Sequence, residues 1–192
     1  MGARPFCLLS QRSVIAVGGA DRVDFLQGLV SNDIARVTPR QAVWAALLTP
    51  QGRFLNDMFV ADDGAGTLLL ETERERAAGL VRKLSMYRLR SKVTVEDRAD
   101  ALEVAVAWGP DAATLVPLDG AVAFADPRLP ALGVRVIAPA GTASGLLEAR
   151  GFAATPLQAW DEHRLALGVP DGSRDLPVEK ALLLENGFDE LN

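Results

Sequence analysis

Apolar residues recur along the chain with two periods, one close to that of a strand and one close to that of a helix. Residues 12–17 predict a strand stopped by Gly18 and Gly19, and residues 20–29 a helix with Phe25, Leu26 and Leu29 on one face. Asp21 falls in the first turn of that helix, where the macrodipole favours an acid. Residues 42–48 and 54–61 read as strands, and the Thr-Pro-Gln-Gly-Arg between them suits a tight reversal, so the two predict an antiparallel hairpin. A third strand fits 67–72, and a helix fits 73–87 with Ala77, Leu80, Val81 and Leu84 turned inward. Farther along, strands are predicted over 93–96, 102–107 and 134–138, and helices over 111–116, 144–150 and 157–167.

Strands and helices are mixed without strict β-α-β alternation, and neither a glycine-rich dinucleotide fingerprint nor a P-loop is present, which predicts an α+β fold. The pattern divides into a first α+β unit over 1–92, holding the hairpin, and a second over 93–192. Within the hairpin, Asn56 and Asp57 interrupt a run that is apolar on both faces: Phe54, Leu55, Met58, Phe59 and Val60. A carboxylate left unpaired in such a strand costs several kcal/mol, roughly, or has its pKa raised until it is neutral. The pair therefore predicts either a hydrogen-bonded structural network or a binding site.

At 192 residues with 49% hydrophobic and 23% charged content, the chain has the composition of a soluble globular protein, and no apolar run approaches the ~20 residues of a membrane span. The apolar run 6–9 is too short for a secretory signal, so the expected compartment is the cytoplasm. One cysteine, Cys7, and one histidine, His163, allow neither an internal disulfide nor a Cys/His metal cluster. A net charge of −5 argues against general nucleic-acid binding. The charge is uneven: residues 71–92 carry +4 and the remainder −9, a local basic patch that suits a small anionic ligand or an acidic partner. Arg74, Arg76 and Arg82 in that stretch read first as a solvated helix face.

The order GADRVDFLQGLVSND, LLTPQGRFLNDMFV, YRLRSKVTVEDRAD, VAVAWGP, DPRLPALGVRV and DEHRLALGVPDG resembles the YgfZ-type folate-binding proteins, which are related to the T-protein of the glycine cleavage system, a tetrahydrofolate-dependent aminomethyltransferase. The resemblance runs over nearly the whole chain and implies a T-protein-like fold of mixed and antiparallel sheets with packed helices. It places the folate-touching aspartate at Asp57 and an aromatic lining the folate channel at Trp44. A flat pterin could then be bonded by Asp57 and Asn56 while an aromatic face stacks on it. The T-protein carries a Gly-Glu-Asp segment that this chain lacks, so the resemblance implies folate binding rather than aminomethyl transfer.

In YgfZ-type proteins, a segment similar to LLLENGFDELN runs into a Lys-Gly-Cys-Tyr-x-Gly-Gln-Glu signature, and this sequence stops at Asn192 before it; Cys7 does not match the signature cysteine. The apolar residues 181–184, Phe188 and Leu191 suggest a fragment, with a natural short form as the alternative.

Tyr87, Arg88 and Arg90 either face the anionic glutamyl tail of a folate, or Arg88 or Arg90 pairs with Asp57 or Asp97. Arg164 matches a family arginine, with an ion pair to Glu162 or Asp161 as its structural role. Asn32 and Asp33 are expected to cap a helix or fix a turn. The implied function is that of a tetrahydrofolate-binding accessory protein acting with iron-sulfur assembly proteins or their clients in maturation or repair of 4Fe-4S proteins. A folate-dependent aminomethyltransferase and a ligand-free interaction domain are the alternatives.

Overall fold

The computed structural model describes residues 4–188, so Leu191 lies outside the described residues. Two five-stranded sheets pack face to face. One consists of β2 (Arg12–Gly18), β3 (Val43–Leu48), β4 (Phe54–Asp62), β5 (Thr67–Glu73) and β6 (Thr94–Asp97), in the order β3-β4-β5-β2-β6 and antiparallel throughout. The other consists of β1 (Pro5–Leu8), β7 (Leu102–Ala107), β8 (Val122–Ala125), β9 (Val134–Pro139) and β10 (Ala153–Ala154), in the order β10-β1-β7-β9-β8, with β1 and β10 parallel. The α+β class is what the sequence pattern predicts, and the mixed and antiparallel sheets are what the family resemblance implies.

The layers follow from alternation along each strand. Val14, Ala16, Trp44, Phe59 and Leu69 of the first sheet meet Val104, Val106, Phe124 and Ile137 of the second in a shared core. The opposite face of the first sheet, with Ile15, Val17, Met58, Val60 and Leu70, is covered by α1 (Arg22–Gln27) and α2 (Arg74–Tyr87). The second sheet is covered on its outer side by α3 (Ala143–Glu148) and a single helical turn at Ala112–Leu115. A further helix, α4 (Leu157–Ala166), sends Trp160 into the shared core beside Trp108, with ring centroids 5.5 Å apart.

The expected boundary between residues 92 and 93 is crossed twice. β6 completes the first sheet by pairing with β2, while β1, from the N-terminus, pairs with β7 in the second. A short strand joins whichever edge is open to it, and neither the four-residue β1 nor β8 carries enough alternation to be read from sequence. The helix expected over 111–116 is a 3₁₀ turn, held by Asp111 in the left-handed region.

One irregularity re-aims the hairpin. Leu48 pairs with Phe54 but Leu47 pairs with Asn56, so Leu55 is an extra residue bulged out of β4. Beyond the bulge Asp57 keeps step with Phe59 and Ala61 toward the shared core, and Asn56 keeps step with Met58 and Val60 toward the helices. The two polar residues thus serve opposite faces.

Candidate functional site

Between the sheets the apolar core gives way to charge. Arg12, Asp57 and Glu71 lie on adjacent strands of the first sheet, and Arg135, Asp126 and Arg128 lie on or beside β9 and β8 of the second; all but Arg128, whose side chain is equally sealed, are fully buried residues. Glu71 is the hub. It accepts from Arg12 Nε at 3.0 Å and from Arg135 Nε at 2.7 Å, and a second Arg135 nitrogen completes a forked pair. Arg135 also reaches Asp126 Oδ2 at 3.2 Å, and Arg128 holds both oxygens of the same carboxylate, with Nε 3.0 Å from Oδ1 and Nη2 2.8 Å from Oδ2. The Phe59 ring lies beneath the guanidinium carbons of Arg135, Arg128 and Arg12, at 4.0, 4.8 and 5.7 Å from its centroid.

Asp57 belongs to this network. Only 2% exposed, it takes Arg12 Nη1 on Oδ1 at 3.2 Å and Arg12 Nη2 on Oδ2 at 3.4 Å, and its backbone oxygen accepts from the Thr72 hydroxyl at 2.8 Å. Burial opposes charge on Arg12, but Asp57, Glu71 and Asp171 outweigh it and keep the guanidinium more basic than usual. Burial likewise pushes the Asp126 carboxyl up, and Arg128 and Arg135 more than reverse it, leaving the pKa below the ordinary carboxylate value.

A loop at residues 168–175 closes the network. Asp171 stands 3.6 Å from Arg12, and the Ser173 backbone N–H and hydroxyl both donate to Glu73. Gly172 sits between, with φ +51°, where an added Cβ would overlap the Glu73 carboxylate and come within 3.0 Å of Asp57 Oδ1. From Asp171 the ion pairs continue outward through Arg174 (3.0 Å) to Asp161 (2.7 Å) and Arg164 (2.8 Å), and Arg164 also binds Asp175 at 2.6 Å.

A cleft of about 340 Å³ opens beside the network, between the β3 edge of the first sheet and the β8–β9 connection of the second. Asn32, Arg36, Arg40, Gln41, Trp44 and Asp126 contribute its polar groups, and Pro127 and Pro130 its far wall. Asn32 fixes the near wall by donating to the Trp44 carbonyl at 2.7 Å, while Asp33 caps the short turn Ile34–Arg36 by accepting from the Ala35 N–H. Trp44 is 4% exposed and its indole Nε1–H has no hydrogen-bond partner among the described residues. Phe188 stacks on the indole face, centroids 4.4 Å apart and planes 12° from parallel. The indole nitrogen is itself sealed from solvent, so a ligand entering here would first meet the arginines on the rim. An orphaned buried donor costs about 1–3 kcal/mol until something accepts from it.

The predicted site residues are only partly brought together. Trp44 pairs across the hairpin with Phe59, so Asp57 is its diagonal neighbour on the same face. Yet Asp57 lies under Arg12 and the 168–175 loop and does not line the cleft. Asn56, next to Asp57 in a regular stretch of strand, faces the opposite way. Tyr87 and Arg90 lead into β6, at the sheet edge opposite β3, and line a separate exposed hollow with Asp21. Neither Arg88 nor Arg90 is the partner of Asp57; Arg12 is. Arg164 is committed to Asp161, the structural pair expected of it, and to Asp175 rather than Glu162. Arg12, Glu71, Asp126 and Arg135 were not legible as a unit, since no local spacing links residues from two sheets. The buried Cys7 thiol is pushed up by burial, and next by the Asp161 charge.

Two facing sheets with a charged seam and a cleft at one edge define a T-protein-like α+β protein. The aminomethyltransferase T of the glycine cleavage system from Bartonella henselae superposes with a TM-score of 0.72 over 88% of this chain and 52% of that one, at 19% identity. Residues 9–142 match the GCVT N-terminal domain model, and the chain belongs to that family. It is 32% identical over 194 residues to the mitochondrial iron-sulfur cluster assembly factor IBA57 homolog of Mycosarcoma maydis, covering 94% of this chain and 47% of that protein. It is 31% identical over 208 residues to the mitochondrial iron-sulfur cluster assembly factor IBA57 of Homo sapiens, covering 96% and 56%. The chain thus spans about half the length of the curated relatives it matches. These relatives also correct the cytoplasmic expectation, since both are named as mitochondrial proteins; a short apolar run at the N-terminus does not decide compartment.

The geometry makes Asp57 a member of a structural network, the first of the two roles its sequence context allows. Asp57→Ala is expected to cost about 3–5 kcal/mol in denaturant unfolding, because it strips a buried arginine of one counter-charge; a loss below about 1 kcal/mol would return Asp57 to a ligand-facing role. Acid should dissolve the seam. Asp126, Asp171 and Asp161 all have folded pKa values held below the ordinary carboxylate value by their arginines, against the burial that raises them. The unfolded chain therefore binds more protons than the folded one between the two values, and stability falls as pH drops through and below about 4. Melting curves from pH 7 to about 3 check this, and Asp126→Asn is expected to flatten part of the acid slope.

Proposed function

We propose that this chain is a tetrahydrofolate-binding accessory factor of the YgfZ type, acting with iron-sulfur assembly proteins or their clients in maturation or repair of 4Fe-4S proteins. The observation that carries the reading is similarity along nearly the entire chain to proteins named as iron-sulfur cluster assembly factors. The folate part is supported by the cleft. Its volume falls at the lower end for small-molecule sites, enough for a flat heterocycle with its tail projecting outward. Once a local opening uncovers it, the Trp44 indole N–H would give its unanswered hydrogen bond to a ring oxygen or nitrogen, and Arg40 on the rim suits an anionic glutamyl tail.

In this reading Asp57 and Arg164 support the site from behind, and Tyr87 and Arg90 take no part in it. An accessory role suits the state of Asp57: a carboxylate held by Arg12 and sealed beneath a loop is poorly placed to assist attack by a folate nitrogen.

Calorimetric titration with tetrahydrofolate tests the ligand. Wild type is expected to bind saturably, and Trp44→Phe, which keeps an aromatic ring but removes the donor and part of the ring system, to bind roughly 5- to 10-fold more weakly. The assembly role is tested in cells depleted of their own relative, where expression of this chain is expected to raise 4Fe-4S enzyme activity. No gain from a chain that binds tetrahydrofolate would overturn it.

A further inference from the structure

The end of α2 and the turn after it place large apolar side chains in solvent. Met86 is 68% exposed, Tyr87 49% and Leu89 89%, and no residue from Ser85 through Lys92 is buried. Leu89 is held at φ +41°, in the left-handed region that a branched side chain rarely adopts, with nothing gained inside the molecule from its side chain. Three adjacent exposed apolar groups on a strained turn are unlike the scattered singles of an ordinary surface.

The charge carried by this stretch of chain has one sign. Residues 76–95 contain six basic residues and no acidic one, in a chain of net charge −5. Arg88, Arg90 and Lys92 are exposed and form no ion pair among the described residues. The carboxylate that shares the hollow, Asp21, is occupied: its Oδ2 accepts from the Lys92 backbone N–H at 2.7 Å.

We propose that Met86, Tyr87 and Leu89, ringed by Arg88, Arg90 and Lys92, form a docking surface for an acidic protein segment that presents an apolar anchor between carboxylates. Charge complementarity selects that occupant. The arginine forks match carboxylates bidentately, and an apolar centre with a charged rim is the arrangement of a protein interface. A lipid surface is disfavoured because the patch is a small basic spot on a body that carries an excess of negative charge. The surface lies at the opposite sheet edge from the cleft and does not rest on the folate reading.

Tyr87 is the sole tyrosine, so fluorotyrosine labelling places a single ¹⁹F probe in the patch of the intact chain. The titrant is a synthetic amphipathic helix with a leucine stripe flanked by glutamates. Expected are a saturable shift of the Tyr87 resonance, weakening with added salt, and at least about a tenfold loss of affinity in Arg88→Glu/Arg90→Glu. Leu89→Gly should weaken binding while leaving the melting temperature unchanged or raised, because it removes the anchor and relieves the turn. The absence of a shift, an equal response to the same helix with lysines in place of glutamates, or a response to phosphatidylserine vesicles at least as strong as to the peptide overturns the proposal.

Discussion

The fold turns on Glu71, a carboxylate with no exposure that joins Arg12 on its own sheet to Arg135 on the facing one. Facing sheets ordinarily meet through apolar side chains alone, which hold them together without fixing how they slide. Here the seam contains ions whose desolvation is offset only when each lone pair and N–H is answered in good geometry. The forked contacts of Arg135 and Arg128 answer them, and Phe59 offers its ring face to the three guanidinium groups at the centre. Shifting either sheet by a residue would strand several charges at once. Apolar packing supplies the bulk of the cohesion, and the seam fixes the register.

That register has a consequence for chemistry. Asp126 is at once a member of the seam and a wall of the cleft, so the cleft's width is set by the same contacts that lock the sheets. The aspartate that the T-protein resemblance singles out serves the lock instead, and the group left with an unmet hydrogen bond is the indole of Trp44. Phe188 already covers one face of that indole, which closes it to stacking by anything else.

How much of this was legible in the sequence depends on the range of the interaction. Strands β2, β4, β5, β7 and β9, and helix α2, declare themselves because each carries its own alternation or helical period. Strands β1 and β8 are four residues long and take their structure from the neighbours they pair with. Asp57 could be seen to need a partner, but not which one: Arg12 lies 45 residues away. The bulge at Leu55 was equally hidden, and it shifts the register by which the regular alternation sends Asn56 and Asp57 to opposite faces. Tyr87 and Arg90 were assigned to a folate tail because arginine forks match carboxylates, a match of chemistry that carries no position. The strand order separates them from the hairpin, since β3 and β6 are opposite edges of the sheet.

The same separation shapes what the chain can do. Three strands intervene between the edge that bears the cleft and the edge that follows the exposed turn. At about 4.8 Å per strand the two lie roughly 19 Å apart across the sheet. A partner seated on the turn would not occlude the cleft, and a ligand in the cleft would not touch the partner. Coupling between them, if the protein uses any, must pass through the sheet whose register Glu71 and its arginines hold. A rigid seam transmits a shift at one edge poorly unless it has a second arrangement to move to, and a network with its charges matched has little reason to have one. The architecture thus favours a platform that holds two things at once over a switch that exchanges one for the other.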